Sequence, residues 1–284
     1  WLDQGEMQRQ QAYWVERLGG EPVVLSLPTD HPRTAQLSDR GGRLDLRLPQ
    51  DLERQVRELA QAQGVTLFQL FLGTFALLLQ RYSGQPDVRI GVPVNNRNSQ
   101  ELEAVVGFFV NTLVMRLCPQ PEQSAGHWLQ TVKEVTLSAQ ANQDLPFDRL
   151  VEVLNPQRAL NHNPLFQVMY NHLSTVGATA TGTSLPGLQA RELLLDGGAA
   201  QFELSLETLE TPQGISVALV YAADLFEAAT LERMAGHWQT LLRGMVACPA
   251  QAIGELPMLA ASEQHGLRTW NQTAQRYPDE YCVH

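Results

Sequence analysis

The chain has 284 residues, and 44% of them are hydrophobic, which is enough apolar material for the core of one large or two ordinary domains. Its formal net charge of −10 argues against a nucleic-acid-binding surface, which would need clustered Lys and Arg side chains. No run of about 18 apolar residues is present to span a bilayer, and no basic segment followed by an apolar one stands at the start, so we expect a soluble, cytoplasmic protein.

The first eighty or so residues alternate helix patterns with one strand pattern. Apolar residues recur at helical spacing over residues 7–18 and 49–63, and a glycine follows each run as a helix stop. Between them, residues 42–48 alternate leucines with charged residues, which predicts a half-buried strand. Residues 67–82 are apolar on most faces and follow Thr66, a good helix cap, so they predict a helix buried in the core.

Two strand patterns flank a polar loop in the next segment. Residues 90–94 read IGVPV, a short apolar run, and the loop NNRNSQELE that follows contains Arg97. The second run, GFFVNTLVMR at 107–116, is apolar except for Asn111, Thr112 and its final arginine. An interrupted core strand usually indicates that a polar group is needed there, so we predict a site at this position.

The remaining patterns predict three helices and four strands. Residues 125–141 predict an amphipathic helix, and Pro146 at the first helical position starts a short one that ends before Pro156. A long amphipathic helix is predicted at 227–248. The predicted strands are residues 165–173, 188–195, 202–209 and 215–222. The helix side chains predicted to face inward include Trp14, Val15, Leu18, Trp128, Val132, Val135, Leu137, Leu231, Met234, Trp238, Leu241 and Leu242.

These patterns together predict a single α/β (α+β) lobe with a mixed sheet, on which the helices at 67–82 and 125–141 pack. The last two strands form a predicted hairpin, because a Thr-Pro-Gln-Gly turn joins them. A small-residue loop at 174–187 is expected to be mobile. Apolar periodicity weakens afterwards, so the lobe is expected to close near Ala252.

Other kinds of site find little support in the sequence. Cys118, Cys248 and Cys282 are odd in number and far apart, and no CxxC pair indicates zinc or a redox centre, so we expect reduced structural thiols and no metal. There is no GxSxG elbow, no phosphate-binding GxxxxGK[ST] loop, no HExxH and no dinucleotide glycine fingerprint.

Three segments carry a resemblance to a known family. They are residues 90–116, NQDLPFDRLVEVL at 142–154 and NHNPLFQVMYNHL at 161–173. In order and approximate spacing they closely resemble the C-terminal half of the condensation domains of non-ribosomal peptide synthetases. The resemblance covers about residues 1–250, so we expect residues 1–252 to be this lobe. The tail WNQTAQRYPDEYCVH resembles the linker and first residues of an adenylation domain, which assigns residues 253–284.

The resemblance implies a fold and a reaction. Such domains are similar to two stacked chloramphenicol-acetyltransferase-like lobes, and their catalytic HHxxxDG motif belongs to the N-terminal lobe. No two histidines are adjacent here, so the chain is expected to hold no catalytic residue and to be inactive alone. The intact enzyme joins carrier-protein-bound aminoacyl or peptidyl thioesters through an amide bond. The alternatives are a non-catalytic scaffold lobe that docks carrier proteins, or an epimerisation or cyclisation relative of the same fold.

The resemblance also implies partners. They are the N-terminal lobe, the donor and acceptor carrier proteins with their 4′-phosphopantetheine, and the downstream adenylation domain; no cofactor is expected on this lobe, and no nucleic acid or membrane. The predicted hairpin at 202–222 is our candidate for a segment that crosses to the other lobe.

Arg97 is the strongest site candidate. The resemblance implies that it approaches the aspartate of HHxxxDG across the lobe interface, where a guanidinium and carboxylate pair would hold that loop. Since that carboxylate is not in this chain, we predict a free or solvated guanidinium on an open face. The alternative is an ordinary solvated loop arginine.

The other candidates divide between the substrate channel and the framework. The resemblance places GFFVNT, with Phe108, Asn111 and Thr112, near the channel, where an amide or hydroxyl would orient a thioester or amine; the alternative for Asn111 is a bond to the backbone only. Asp144, together with Asn142, is predicted to cap the helix that begins near Pro146. Further tunnel candidates, Asn163 and Asn171, bracket a predicted strand, with surface turns as the alternative.

Overall fold

The computed structural model describes residues 5–20, 24–34, 38–97, 100–154, 162–175 and 198–274. The predicted strand at 188–195 and most of the predicted mobile loop at 174–187 lie outside the described residues.

Most helices and strands of the described residues lie close to the predicted positions, but the short helices at 100–103 and 261–270 were not predicted. The helices are α1 Glu6–Leu18, α2 Gln50–Gln63, α3 Leu67–Ser83, α4 Gln100–Glu103, α5 Ala125–Gln140, α6 Phe147–Leu154, α7 Ala228–Ala247 and α8 Ala261–Trp270. The strands are β1 Gly41–Arg47, β2 Val88–Val94, β3 Asn111–Leu117, β4 Val168–Ser174, β5 Leu204–Thr211 and β6 Gly214–Ala222.

The strands form one six-stranded mixed sheet in the order β1-β6-β5-β4-β2-β3. The pairs β1/β6, β6/β5 and β2/β3 are antiparallel, whereas β4 runs parallel to both of its neighbours, β2 and β5. Parallel pairs require long connections between their strands. The predicted mixed sheet flanked by helices is confirmed.

Helix α3 is the centre of the core. Eleven of its 17 residues are buried, so its sequence predicts its position correctly. Thr66 begins it with a capping box, since its side chain accepts from the Gln69 N–H and the Gln69 side chain accepts from the Thr66 N–H. Helix α5 crosses it closely at Gly73, whose carbonyl accepts from Trp128 Nε1 at 3.1 Å. A Cβ at position 73 would lie 3.1 Å from Val132 Cγ2, so only glycine allows this approach without a shift.

Most of the predicted inward-facing side chains are buried, but two are not. Val15 is 39% exposed and Leu137 is 51% exposed. Val15 follows the buried Trp14 by one position, which is about 100° around the helix. Leu137 follows the buried Val135 by two positions, which is about 200°. The apolar faces of α1 and α5 are therefore narrower than their composition indicates.

The β5–β6 hairpin is confirmed, with Thr211 opposite Gly214 at its turn. Its predicted role as a segment that crosses to another lobe is wrong. Both strands are interior, because β4 pairs with β5 on one side and β1 pairs with β6 on the other. A hairpin bonded on both sides is part of the sheet framework.

No single helix among the described residues is long and apolar enough to cross a membrane. Helices α2 and α3 have the required length and composition only when taken together, and they are bent by 104° relative to each other. The apolar content of α3 is instead buried inside the fold.

Candidate functional site

The loop between β2 and β3 is organised around Arg97. The Nη1 group donates to the carbonyls of Leu102 and Val105, the second at 2.9 Å, and Nη2 reaches the Gly107 carbonyl at 3.5 Å. The guanidinium carbon also lies 4.2 Å from the centre of the Phe109 ring. The prediction of a free or solvated guanidinium is wrong, because this side chain folds the loop around itself.

The same loop exposes a run of apolar side chains, which we call the apolar loop (residues 104–110). Val106 is 100% exposed and Phe108 is 91% exposed, with Val105 and Val110 about half exposed on either side. Strand β3 begins at Asn111, so the first residues of the predicted strand belong to this loop. Phe108 thus lies at the surface. Exposed apolar residues that are contiguous usually mark a surface that meets a partner.

Asn111, the first residue of β3, binds the chain before α6. Its Nδ2 donates to the carbonyls of Gln143 and Leu145 at 2.8 and 2.9 Å, and its Oδ1 accepts from the Phe147 N–H at 3.0 Å. Three backbone groups therefore occupy this amide, as in the alternative interpretation of its role. Thr112 is half-buried beside it and pairs with Pro93 across the ladder.

Helix α1 holds the same segment from the other side. Gln10 is fully buried, and its Oε1 accepts from the N–H groups of Asp144 and Leu145, both at 3.0 Å. Trp14 Nε1 donates to the Asn142 carbonyl at 2.8 Å. We call residues 141–147 the clamped turn, because α1 and β3 together bind its backbone. The α1 side chains that hold this turn are about 130 residues away from it in sequence.

The clamped turn corrects the predicted cap. The N–H of Phe147, the first residue of α6, is bound by Asn111. The Asp144 carboxylate accepts instead from Gln10 Nε2 at 3.0 Å, and the Asn142 side chain donates to the Ser138 carbonyl and accepts from α1. The acceptor at the start of α6 is therefore Asn111, which is distant in sequence, and not the nearby Asn142 or Asp144.

Asn163 and Asn171 line different pockets. The Asn163 Oδ1 accepts from the Leu165 N–H at 3.1 Å, which makes it a turn-forming side chain before β4. Asn171 lies within β4 opposite Glu207 and borders a groove of about 600 Å³ on the sheet. Arg43 and Glu207 form an ion pair of 2.8 Å in that groove, which is also lined by Leu46, Leu173 and Leu209. The structure does not gather the predicted tunnel residues into one cavity among the described residues.

Two histidines make contacts that resemble acid–base pairs, but neither residue is exposed. His237 is 7% exposed, and its two nitrogens contact Tyr82 Oη at 2.6 Å and Glu263 Oε1 at 2.8 Å. Burial raises the pKa of Tyr82 to about 12, so this phenol stays protonated. This contact ties α8 to the rest of the fold.

His172, in β4, lies on the sheet face that packs against α3. Its Nδ1 contacts Thr208 Oγ1 at 2.8 Å. Burial lowers the pKa of His172, although the Glu210 charge opposes this, so the ring is neutral at pH 7. Within the described residues, no three His, Cys, Asp or Glu side chains come together as a metal site requires.

Gln10 and Arg43 are the site residues that sequence reasoning missed. Gln10 did leave a signal, since it stands at helical spacing between the inward-facing Met7 and Trp14. A polar residue on an apolar helix stripe usually binds something buried.

Comparison with known proteins adds what this geometry alone does not supply. A family model described as Condensation domain matches residues 1–267. Malpinin synthetase of Mortierella alpina is 39% identical over 285 residues, which is 100% of this chain and 4% of the relative. Tyrocidine synthase 3 of Brevibacillus parabrevis is 37% identical over 272 residues, which is 95% of this chain and 4% of the relative. The chain thus spans only a small part of the length of these relatives.

Two solved structures share the fold. A four-domain nonribosomal peptide synthetase bound to AMP and glycine superposes with a TM-score of 0.82 and 27% identity, over 91% of this chain and 21% of the other. The X-domain from teicoplanin biosynthesis superposes with a TM-score of 0.82 and 26% identity, over 91% of this chain and 60% of the other.

Proposed function

The chain belongs to the condensation domain family of non-ribosomal peptide synthetases, whose members are amide-forming acyltransferases, and we propose that it forms the C-terminal lobe of such a domain. The fold is the predicted chloramphenicol-acetyltransferase-like type. In this proposal residues 1–252 are the lobe, and residues 253–284 are the linker and start of an adenylation domain. Its partners are the N-terminal lobe, the donor and acceptor carrier proteins bearing 4′-phosphopantetheine, and the adenylation domain.

The observation that carries the proposal is that a solved structure matches nearly all of this chain, whereas this chain matches only part of that structure. The X-domain structure matches 91% of this chain, but the chain accounts for only 60% of that structure. One lobe of a two-lobed domain is expected to match in this way. The seven histidines, none adjacent to another, agree with the catalytic motif being in the other lobe.

The proposed reaction divides its work between the lobes. The acceptor amine attacks the donor thioester carbonyl, so a C–N bond forms, the C–S bond breaks, and the amine's proton ends on the released thiol. The histidine of the N-terminal lobe would manage the proton. This lobe would position the reactants, and correct positioning is worth about 7–11 kcal/mol of barrier at best.

Within this chain, Arg97 and the clamped turn are the proposed positioning elements. Arg97 holds the apolar loop in shape, while the Val106 and Phe108 side chains remain exposed to solvent. We assign the apolar loop to the contact with the N-terminal lobe, where covering it would remove apolar surface from water. Asn111, Thr112 and Asp144 act as framework beneath it, while Asn163 and Asn171 remain candidates for the tunnel wall.

The experiment is a complementation assay. The chain is incubated with loaded donor and acceptor carrier proteins, with and without a separately expressed N-terminal lobe, and dipeptidyl thioester is measured by mass spectrometry. Product that appears only with both lobes supports the proposal. Product from this chain alone contradicts it. A variant with both Val106→Asp and Phe108→Asp tests the assignment of the apolar loop, because it should abolish complementation without changing the stability of the lobe.

A second candidate function is a docking lobe that makes no bonds. The likeness to the X-domain of teicoplanin biosynthesis favours it, because a solved structure holds that X-domain in complex with OxyB. The two candidates differ in the same assay. A docking lobe retains carrier-protein binding by calorimetry but yields no product when the N-terminal lobe is added.

A further inference from the structure

A pocket of about 440 Å³ lies where the end of α1 meets the end of β3 and helix α5. It is separate from the apolar loop and the clamped turn. Its polar lining comes from Tyr13, Glu16, Arg17, Arg116, Cys118 and Thr131.

Arg17 lines this pocket and forms no ion pair with any acidic side chain among the described residues. Within the part of the chain that the structure describes, its guanidinium makes no ion pair and no hydrogen bond, and its Nε is buried without a partner. A desolvated donor of this kind costs about 1–3 kcal/mol when it stays unsatisfied. An arginine that lines a pocket in this state points to a ligand that accepts hydrogen bonds.

The charges behind Arg17 do not neutralise the pocket. Arg116 Nε contacts the Asp87 carboxylate at 3.0 Å, and the buried Arg89 reaches the same oxygen at 3.5 Å. One carboxylate is thus shared by two guanidiniums, and Arg17 adds a third positive charge nearby. Glu16 lines the rim, but it is exposed and forms no ion pair with these arginines among the described residues. The pocket stays positive within a chain whose formal net charge is −10.

Two neutral groups beside the arginines retain their protons. Burial raises the pKa of the Tyr13 phenol against the nearby Arg17 charge. Burial and Asp87 raise the pKa of the Cys118 thiol, against the charges of Arg116 and Arg17. Both side chains therefore offer O–H or S–H donors at neutral pH. Thr131 does not, because its hydroxyl donates to the His127 carbonyl.

We propose that this pocket binds a phosphate group, as the free anion or as the end of a phosphate monoester. Arg116 Nε and Nη1 already donate to Asp87 and to the Arg17 carbonyl. Its Nη2 and the Arg17 guanidinium remain as N–H donors from two different elements, and such charged donors suit a tetrahedral oxyanion. A bound anion would also offset the one positive charge that the three arginines leave in excess over Asp87 and Glu16. The volume leaves room beyond the phosphate for the rest of a small ester.

Thermal unfolding at constant ionic strength tests the proposal without any condensation assay. Inorganic phosphate, glycerol phosphate and acetate are compared with chloride. Phosphate at about a hundred times its Kd should lower the unfolding constant about a hundredfold, and Arg17→Gln should remove this effect while the unliganded variant remains folded and at least as stable as the wild type. Arg54→Gln is the matched control, because Arg54 is an exposed arginine on α2 far from the pocket in sequence. It should respond to phosphate like the wild type.

Alkylation of the native thiols gives a second readout. Phosphate should slow iodoacetamide labelling of Cys118 and leave the exposed Cys248 unchanged, as measured by peptide mass spectrometry. A response to glycerol phosphate alone assigns the site to a monoester, and equal responses assign it to the phosphate group itself. An Arg17→Gln protein that still responds, or acetate acting as strongly as phosphate, overturns the proposal.

Discussion

The apolar loop and the clamped turn flank the start of the same strand, β3, but they are held in different ways. Four side chains and main-chain groups of the clamped turn bond to Gln10 and Trp14 of α1, and three bond to Asn111 of β3. The apolar loop is held by Arg97, one of its own neighbours, through carbonyls five to ten residues away. The first region is built into the framework, whereas the second is shaped locally and leaves its apolar side chains uncovered.

This difference predicts that the clamped turn contributes mainly to stability and the apolar loop mainly to function. Long-range bonds to buried amides raise the free energy of unfolding, because breaking them exposes polar groups that cannot easily find other partners. A loop held by one internal cation contributes little to global stability and is free to adapt to a partner. The following changes test this contrast.

Removing the buried amide should have the largest effect. Gln10→Ala should lower the free energy of unfolding by about 3 kcal/mol, since it removes the acceptor of two backbone N–H groups of the clamped turn and leaves a cavity at a fully buried position. Urea unfolding followed by circular dichroism measures this. Gln8→Ala, on the exposed face of the same helix, should change stability by less than about 0.5 kcal/mol.

The two sides of the turn should also be coupled. Asn111→Ala should cost about 2 kcal/mol, and the double variant should lose less than the sum, because both amides hold the same segment. Strictly additive losses would show that the turn is not held as one unit.

Breaking the apolar loop should affect activity more than stability. Arg97→Ala should lower the free energy of unfolding by less than about 1 kcal/mol, yet hydrogen exchange should increase over residues 102–109, where its carbonyl contacts and ring contact lie. In the complementation assay the product should fall while carrier-protein binding is kept. Arg97→Lys should not restore the loop, because an ammonium cannot span carbonyls as a guanidinium does. Full turnover in Arg97→Ala would remove Arg97 from the proposed mechanism.

The smallest expected effect is a pH dependence confined to the clamped turn. Hydrogen bonds from Arg9 and Gln10 lower the pKa of Glu6 to about 2, and these two residues also contact the turn. A lowered pKa gives a contribution that is present above the ordinary value of 4.5 and is lost as pH falls towards 2. The protection factors of the turn amides, taken relative to intrinsic exchange at each pH, should therefore fall as pH drops over this range in the wild type and should not show this step in Glu6→Gln. The apolar loop should show no such step, since Arg97 holds it through backbone carbonyls and an aromatic ring and not through a carboxylate.

The sequence predicted the elements whose signals are local. The buried α3 follows from apolar residues on most faces after a capping threonine, and the β5–β6 hairpin follows from two alternating runs around a four-residue turn. The family also followed from sequence, because its three segments stand in order along the chain. Patterns with periods of 2 and 3.6 residues are visible without knowing which elements meet.

Only the tertiary structure decided the roles of the site residues. The position of the hairpin at the centre of the sheet depends on β1 and β4, which come from distant parts of the chain. The Asn111 amide serves a helix start 36 residues away, and Gln10 binds backbone groups 134 and 135 residues away. Arg97 turned inward because its own loop supplied carbonyl acceptors at close range. A polar side chain in a sequence shows that a partner is needed, but the partner is chosen by packing, which brings together groups that no local pattern relates.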